Sequence, residues 1–387
     1  MGHRLFTYFL VLLLAFAGCR KPVVDIYGDG PVPILLSASV ENSTATKAAL
    51  KEWNDTEINV FGLKREADGY DFDDPFNIFD RKARVSSDGA VTLEGEYSYA
   101  EGYVYDFYGY YLGGAKATSV KKDAFSYSFE VTLDGSNDLL YATTDRSEDL
   151  KAYDGNDPLA ESNLYSAIAA RRGVQPTLHF SHALSRFNFI VQGKGNNSPN
   201  FEIRGLEIKA ICSGTLFLGM DKVAFEPAKD VQPGAVALKD EDADTFSPVM
   251  VKMDQDIHLG GENAAIMVAP GSKNIDVLMK LHSDLDDKDY DYEFTVHSSD
   301  IELPDGKKSS ETFLEGYSYD IKIIVYGLER IEINSSVDSW IETDDFEIDP
   351  DDYYEPPTPI PPKDEDIGND VIVDDYDDGG SLGNQDL

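Results

Sequence analysis

The sequence predicts an all-β protein built from antiparallel sandwiches. Three observations carry this reading. Apolar residues alternate at period two over short runs between Ile34 and Val337, with turn signals between the runs. No long helical period interrupts them. Aromatic content is high, with 22 Tyr and 20 Phe, and tyrosine suits half-buried strand faces.

Ile34–Val40 is the first predicted strand. The polar stretch Glu41–Lys47 follows, and Ala48–Trp53 can close one helical turn. Glu57–Leu63 alternates apolar and polar residues. Ala90–Leu93, Tyr103–Leu112, Phe125–Leu133 and Leu139–Thr143 continue the series. Tyr103–Tyr111 is too aromatic and too short for an amphipathic helix, so it reads as a strand covered in part on both faces. A polar segment runs from Asp145 to Gly173, with a short helix predicted at Leu164–Arg172.

A second series comprises Thr177–Phe180, Arg186–Val191, Phe201–Ile211, Thr215–Leu218 and Val249–Met253. It continues through Ala264–Val268, Ile275–Leu281, Tyr290–His297, Tyr319–Tyr326 and Arg330–Val337. The two series divide the chain into an N-terminal domain, 34–180, and a C-terminal domain, 181–342. Residues 343–387 read as an acidic, Pro-rich, extended and disordered tail, because like charges repel and Pro356–Pro362 favours polyproline geometry. Val371, Ile372 and Val373 form an apolar island in that tail. It is either a chance cluster or a strand held out for another subunit.

The chain opens with a basic residue, Arg4, then an apolar run from Leu5 to Phe16, then Ala17, Gly18 and Cys19. The run fits a secretory leader and is too short to span a bilayer as a helix. Small-small-Cys after such a run resembles the lipobox of bacterial lipoproteins. That resemblance implies removal of residues 1–18 and acylation of Cys19, which would anchor the chain to a membrane by lipid alone. The competing reading is an ordinary cleaved signal peptide with an incidental cysteine. Residues 19–33 read as a tether, since three prolines and two glycines between 20 and 33 argue against packing there.

Formal net charge is -39, from 72 acidic against 33 basic residues. Nucleic acid and anionic headgroups would repel such a chain, so neither is expected as a partner. Cys212 is the only cysteine besides Cys19, so the fold must rest on hydrophobic burial. Cys212 lies in an alternating stretch and reads as a small core residue. No HExxH, CxxC or Walker loop is present, and no enzyme activity, cofactor or metal is expected. Asp284–Glu293 lacks the central glycine of a calcium loop and reads as a hairpin turn of solvated acids.

Phrases spread along the chain resemble the fimbrillin family of Bacteroidetes, lipoprotein pilins of surface fimbriae. They are Thr46-Lys47-Ala48, Trp53, Asp55–Phe61, Tyr105–Tyr111, Asp138–Ala142, Leu178–Arg186, Phe313–Ile321, Ile331–Ile333 and Val337–Trp340. The resemblance implies two transthyretin-like β-sandwich domains. It also implies a first strand, here Ile34–Val40, that a trypsin-like protease removes together with the lipid. An extended segment from another subunit then fills the vacated groove. The matching cleavage step is Lys47–Ala48, and Val371, Ile372 and Val373 become the candidate donor strand. Lys47 also reads simply as a solvated loop lysine. The expected partners are other fimbrial subunits, the outer membrane through the lipid, and the maturation protease. The alternative is a lipid-anchored surface protein that stacks exposed Tyr and Trp on glycans.

Overall fold

The computed structural model describes residues 30–40, 53–66, 76–123, 126–144, 165–171, 173–196, 198–241, 243–301, 310–327 and 330–339. Cys19, Lys47, Ala48, Trp340 and the tail with Val371, Ile372 and Val373 lie outside these residues. Residues to Thr343 group as one unit and Asp344–Leu387 as another.

In chain order the strands are β1 Leu36–Val40, β2 Thr56–Glu66, β3 Phe76–Val85, β4 Ala90–Leu93, β5 Tyr103–Tyr111, β6 Lys116–Lys122, β7 Ser126–Thr132, β8 Leu140–Thr144 and β9 Tyr165–Ser166. The short helix α1, Ala167–Arg171, follows. Then come β10 Thr177–His182, β11 Ser185–Gly193, β12 Phe201–Ala210, β13 Ser213–Gly219, β14 Ala224–Pro227, β15 Gly234–Ala237 and β16 Val249–Met250. The last are β17 Asp256–His258, β18 Ile266–Val268, β19 Asn274–Ser283, β20 Lys288–His297, β21 Tyr317–Gly327 and β22 Arg330–Ser339. The described chain is all-β, as composition and alternation predict.

The first sheet has the order β2-β3-β4-β1-β10-β8-β5-β9, and β2 also pairs with β5. That last pairing closes seven of the strands into a ring. Ile58 and Val60 of β2, Tyr105 and Phe107 of β5, Leu140 and Ala142 of β8, and Leu178 and Phe180 of β10 fill one core. Strand alternation sends the next residues to the opposite face. There Phe61, Leu63, Tyr108 and Tyr110 meet Tyr127, Phe129, Leu216 and Leu218 of a four-stranded sheet, β14-β13-β7-β6. This layer takes strands from both sides of residue 180, because β7 pairs with β13 over Ser126–Thr132 and Ser213–Gly219.

Asp80 ties the ring to this layer. It takes a left-handed φ of 46° and breaks the β3 ladder. Its carboxylate accepts bonds from Asn59 Nδ2 at 2.8 Å, the Tyr110 hydroxyl at 2.9 Å and the Tyr127 hydroxyl at 3.2 Å.

Two further sheets, β17-β11-β21-β22 and β15-β12-β19-β20, enclose a second core. Phe187, Phe189, Val191, Ile321 and Ile323 meet Ile203, Ile208, Val277 and Met279 there.

Among the described residues, strand direction departs from the antiparallel expectation at two strand pairs. β1 runs parallel to β10, and β11 runs parallel to β21. Each joins segments far apart in sequence. Alternation reports which face is buried and says nothing about the direction of a distant partner.

Candidate functional site

The site with a built geometry is the place of β1 in the ring. On one side Ser37, Ala38, Ser39 and Val40 register with Thr177, Leu178, His179 and Phe180 of β10. On the other, Leu36 and Ser37 register with Val91 and Ala90 of β4. β1 therefore closes the ring, and without it β4 and β10 would each present an unpaired edge.

The inserted segment begins before β1. The Ile34 N–H donates to the Tyr97 carbonyl at 2.8 Å, and the Tyr99 N–H donates to Val32 at 2.9 Å. Pro33 bridges to Ser98. This corrects the reading of 19–33 as an unpacked tether at its last residues. Proline lacks only a donor, so it fits a position whose neighbours make the ladder bonds.

Alternation along this segment is strict. Val32, Ile34, Leu36 and Ala38 are 1%, 5%, 4% and 6% exposed, and all four belong to the ring core. Leu35, between them, is 42% exposed. At about 1.5–3 kcal/mol for each fully buried aliphatic side chain, Val32, Ile34 and Leu36 together contribute about 5–9 kcal/mol. The outward face is hydroxyl-rich. Ser37 Oγ lies 2.7 Å from Thr177 Oγ1, and Ser39 Oγ lies 2.9 Å from His179 Nδ1.

Two residues outside the segment shape its seat. Gly89, in the β3–β4 turn, has φ +82° and accepts a bond from the Ala38 N–H at 2.8 Å. A Cβ there would stand 2.7 Å from the Ala38 carbonyl oxygen, so glycine meets both the conformation and the close approach. Trp53 packs edge-on against Phe180, with centroids 5.1 Å apart, and is buried. Trp53 therefore offers no exposed face for stacking on a sugar.

The sequence marks Ile34–Val40 as a strand, and the structure seats it centrally. Sequence reasoning missed Val32, whose spacing from Ile34 continues the alternation, and Gly89, whose need appears only once β1 passes over it.

The remaining candidates are scattered. Cys212 is half-buried, its Sγ lies 3.5 Å from the Ala210 carbonyl, and burial pushes its thiol pKa up. The acids at 284–293 span the β19–β20 turn and the start of β20, where Asp289 lies 2.8 Å from His282 Nδ1. Among the described residues, no group of three or more His, Cys, Asp and Glu is placed to hold a metal ion. No described helix is long and apolar enough to cross a membrane.

The fold and this site define an all-β protein whose first strand completes a closed ring. The chain belongs to the fimbrillin-like family, whose model matches residues 46–340. Solved structures similar to it include two candidate cell adhesion proteins. The one from Bacteroides uniformis is 15% identical, with a TM-score of 0.45, over 81% of this chain and 99% of that one. The one from Bacteroides ovatus is 12% identical, with a TM-score of 0.48, over 81% and 100%. The fimbrial anchor protein Mfa2 from Porphyromonas gingivalis is 9% identical, with a TM-score of 0.36, over 80% and 98%. No curated protein matches the chain.

Proposed function

We propose that this protein is a non-enzymatic subunit of a bacterial cell-surface fimbrium that supports adhesion. In this reading, lipid on Cys19 delivers it to the outer membrane. A trypsin-like protease then cuts at Lys47–Ala48, β1 leaves with the lipid, and a strand from another subunit takes its place. The tail island Val371, Ile372 and Val373 is the strand that this chain offers onward. Family membership supports the fimbrial role.

The observation that carries the exchange is the enclosure of β1. Its backbone is paired on both sides, and its alternate side chains fill the core. Removing it would leave unpaired donors and acceptors beside empty apolar pockets, which another extended segment can satisfy by β-augmentation. Head-to-tail joining of this kind does not close, so it yields filaments.

Brief trypsin-like treatment of purified protein, mixed with the fimbrial subunits from the same cells, tests this. The expected result is cleavage after Lys47 and stable multimers on denaturing gels without boiling. A cut product that stays monomeric in that mixture contradicts exchange.

A further inference from the structure

We infer that the seat of β1 accepts a strand from a different kind of subunit and rejects this chain's own tail, so the chain enters a mixed polymer. This rests on the strand-exchange reading above. The seat has a readable pattern. Three successive alternate positions take branched aliphatic side chains, now Val32, Ile34 and Leu36, and the fourth takes a small one, Ala38. The fourth position is confined, since the Ala38 side chain is buried in the ring core. Close-packed interiors do not absorb extra methylenes there without displacement.

The tail does not supply this pattern. Between Asp344 and Leu387, every run of four alternate residues contains a proline, a charged residue or an amide. That holds for either strand direction. The best run is Ile367, Asn369, Val371 and Val373. It places an amide in the second pocket and a valine in the small fourth one. Entering in the opposite direction, it places isoleucine in the small pocket and an amide in the third.

A buried amide without partners weakens binding by roughly 10–100-fold. Overfilling the fourth pocket adds to that. Charge acts in the same sense. The tail carries 16 acidic residues and one lysine, and the rest of the chain is itself net acidic. Two copies therefore repel as the tail of one approaches the body of the other. A donor from another subunit is expected to read aliphatic-x-aliphatic-x-aliphatic-x-small, with short hydroxyl residues suited to the positions facing Thr177 and His179.

The test uses the full chain with a specific protease site inserted between Val40 and Trp53. After cutting, labelled peptides compete with β1, and fluorescence anisotropy reads their binding. One peptide spans residues 30–40, one spans 365–376, and one spans 365–376 with N369I and V373A. The first and third are expected to bind, and the native tail peptide about 100-fold more weakly. Native tail binding within about tenfold of the 30–40 peptide overturns the inference and leaves exchange standing. Failure of the doubly substituted peptide to gain affinity overturns the pocket pattern as its cause. Failure of the 30–40 peptide to enter the cut protein overturns the exchange reading itself.

Discussion

β1 and β11 occupy equivalent places in their sheets, yet they are held very differently. Each runs parallel to a distant strand on one side and antiparallel to short strands on the other. β11 registers with β21 at nine successive positions, Ser185 to Gly193. It is joined to β10 by Ala183 and Leu184 alone, both buried. β1 registers with β10 at four positions and with β4 at two. The difference lies in pairing length and chain attachment, since both strands bury alternate apolar residues. The same topology thus builds a long-paired strand in one half and a short-paired one in the other.

The largest effect should come from attacking the long-paired strand, β11. Phe189→Ala empties part of the core between the two C-terminal sheets and should lower global unfolding free energy by about 3–5 kcal/mol. A denaturation midpoint checks this, and a small shift would break the contrast. Leu36→Ala in β1 should cost about 2–4 kcal/mol, and the loss should be local. Amide protection is expected to fall in β1 and in Thr177–Phe180 while β11 and β21 keep theirs. A uniform fall across both halves would erase the distinction.

Gly89→Ala should be smaller, about 1–2 kcal/mol, from the left-handed backbone at φ +82°. Its added Cβ also meets the Ala38 carbonyl, so β1 should loosen first. Exchange rates of the β1 amides read this directly.

Tyr127→Phe should cost the least, about 1 kcal/mol, for one lost bond to Asp80. It should also change alkaline behaviour. Burial, then the Asp80 charge, pushes the Tyr127 pKa from 10.0 up to about 12. The folded protein keeps this proton while the unfolded chain releases it. Stability is therefore full below pH 10 and declines as pH rises toward 12. The phenylalanine variant should show a shallower decline in urea unfolding between those values.

Much of the fold was legible where one face is buried and the other is not. Ala90–Leu93 matches β4 end to end, and Tyr103–Leu112 overshoots β5 by one residue. β6 escaped notice because Lys116–Lys122 is exposed throughout and carries no alternation. β3 escaped because Asp80, Arg81, Lys82 and Arg84 interrupt its apolar positions. The predicted strand Val249–Met253 shrinks to two residues, since Val249 and Met250 pair only at the rim of β12. At the site, the alternation of Ile34, Leu36 and Ala38 was readable. The ring that encloses them was not, because its closure depends on parallel pairing with β10, 140 residues away.

Hydrogen–deuterium exchange on the full chain, before and after a specific cut between Val40 and Trp53, tests the contrast most directly. Faster uptake is expected after the cut in Leu36–Val40, Ala90–Val91 and Thr177–Phe180, with Phe187–Val191 unchanged. Equal protection of β1 and β11 in the cut protein would contradict it.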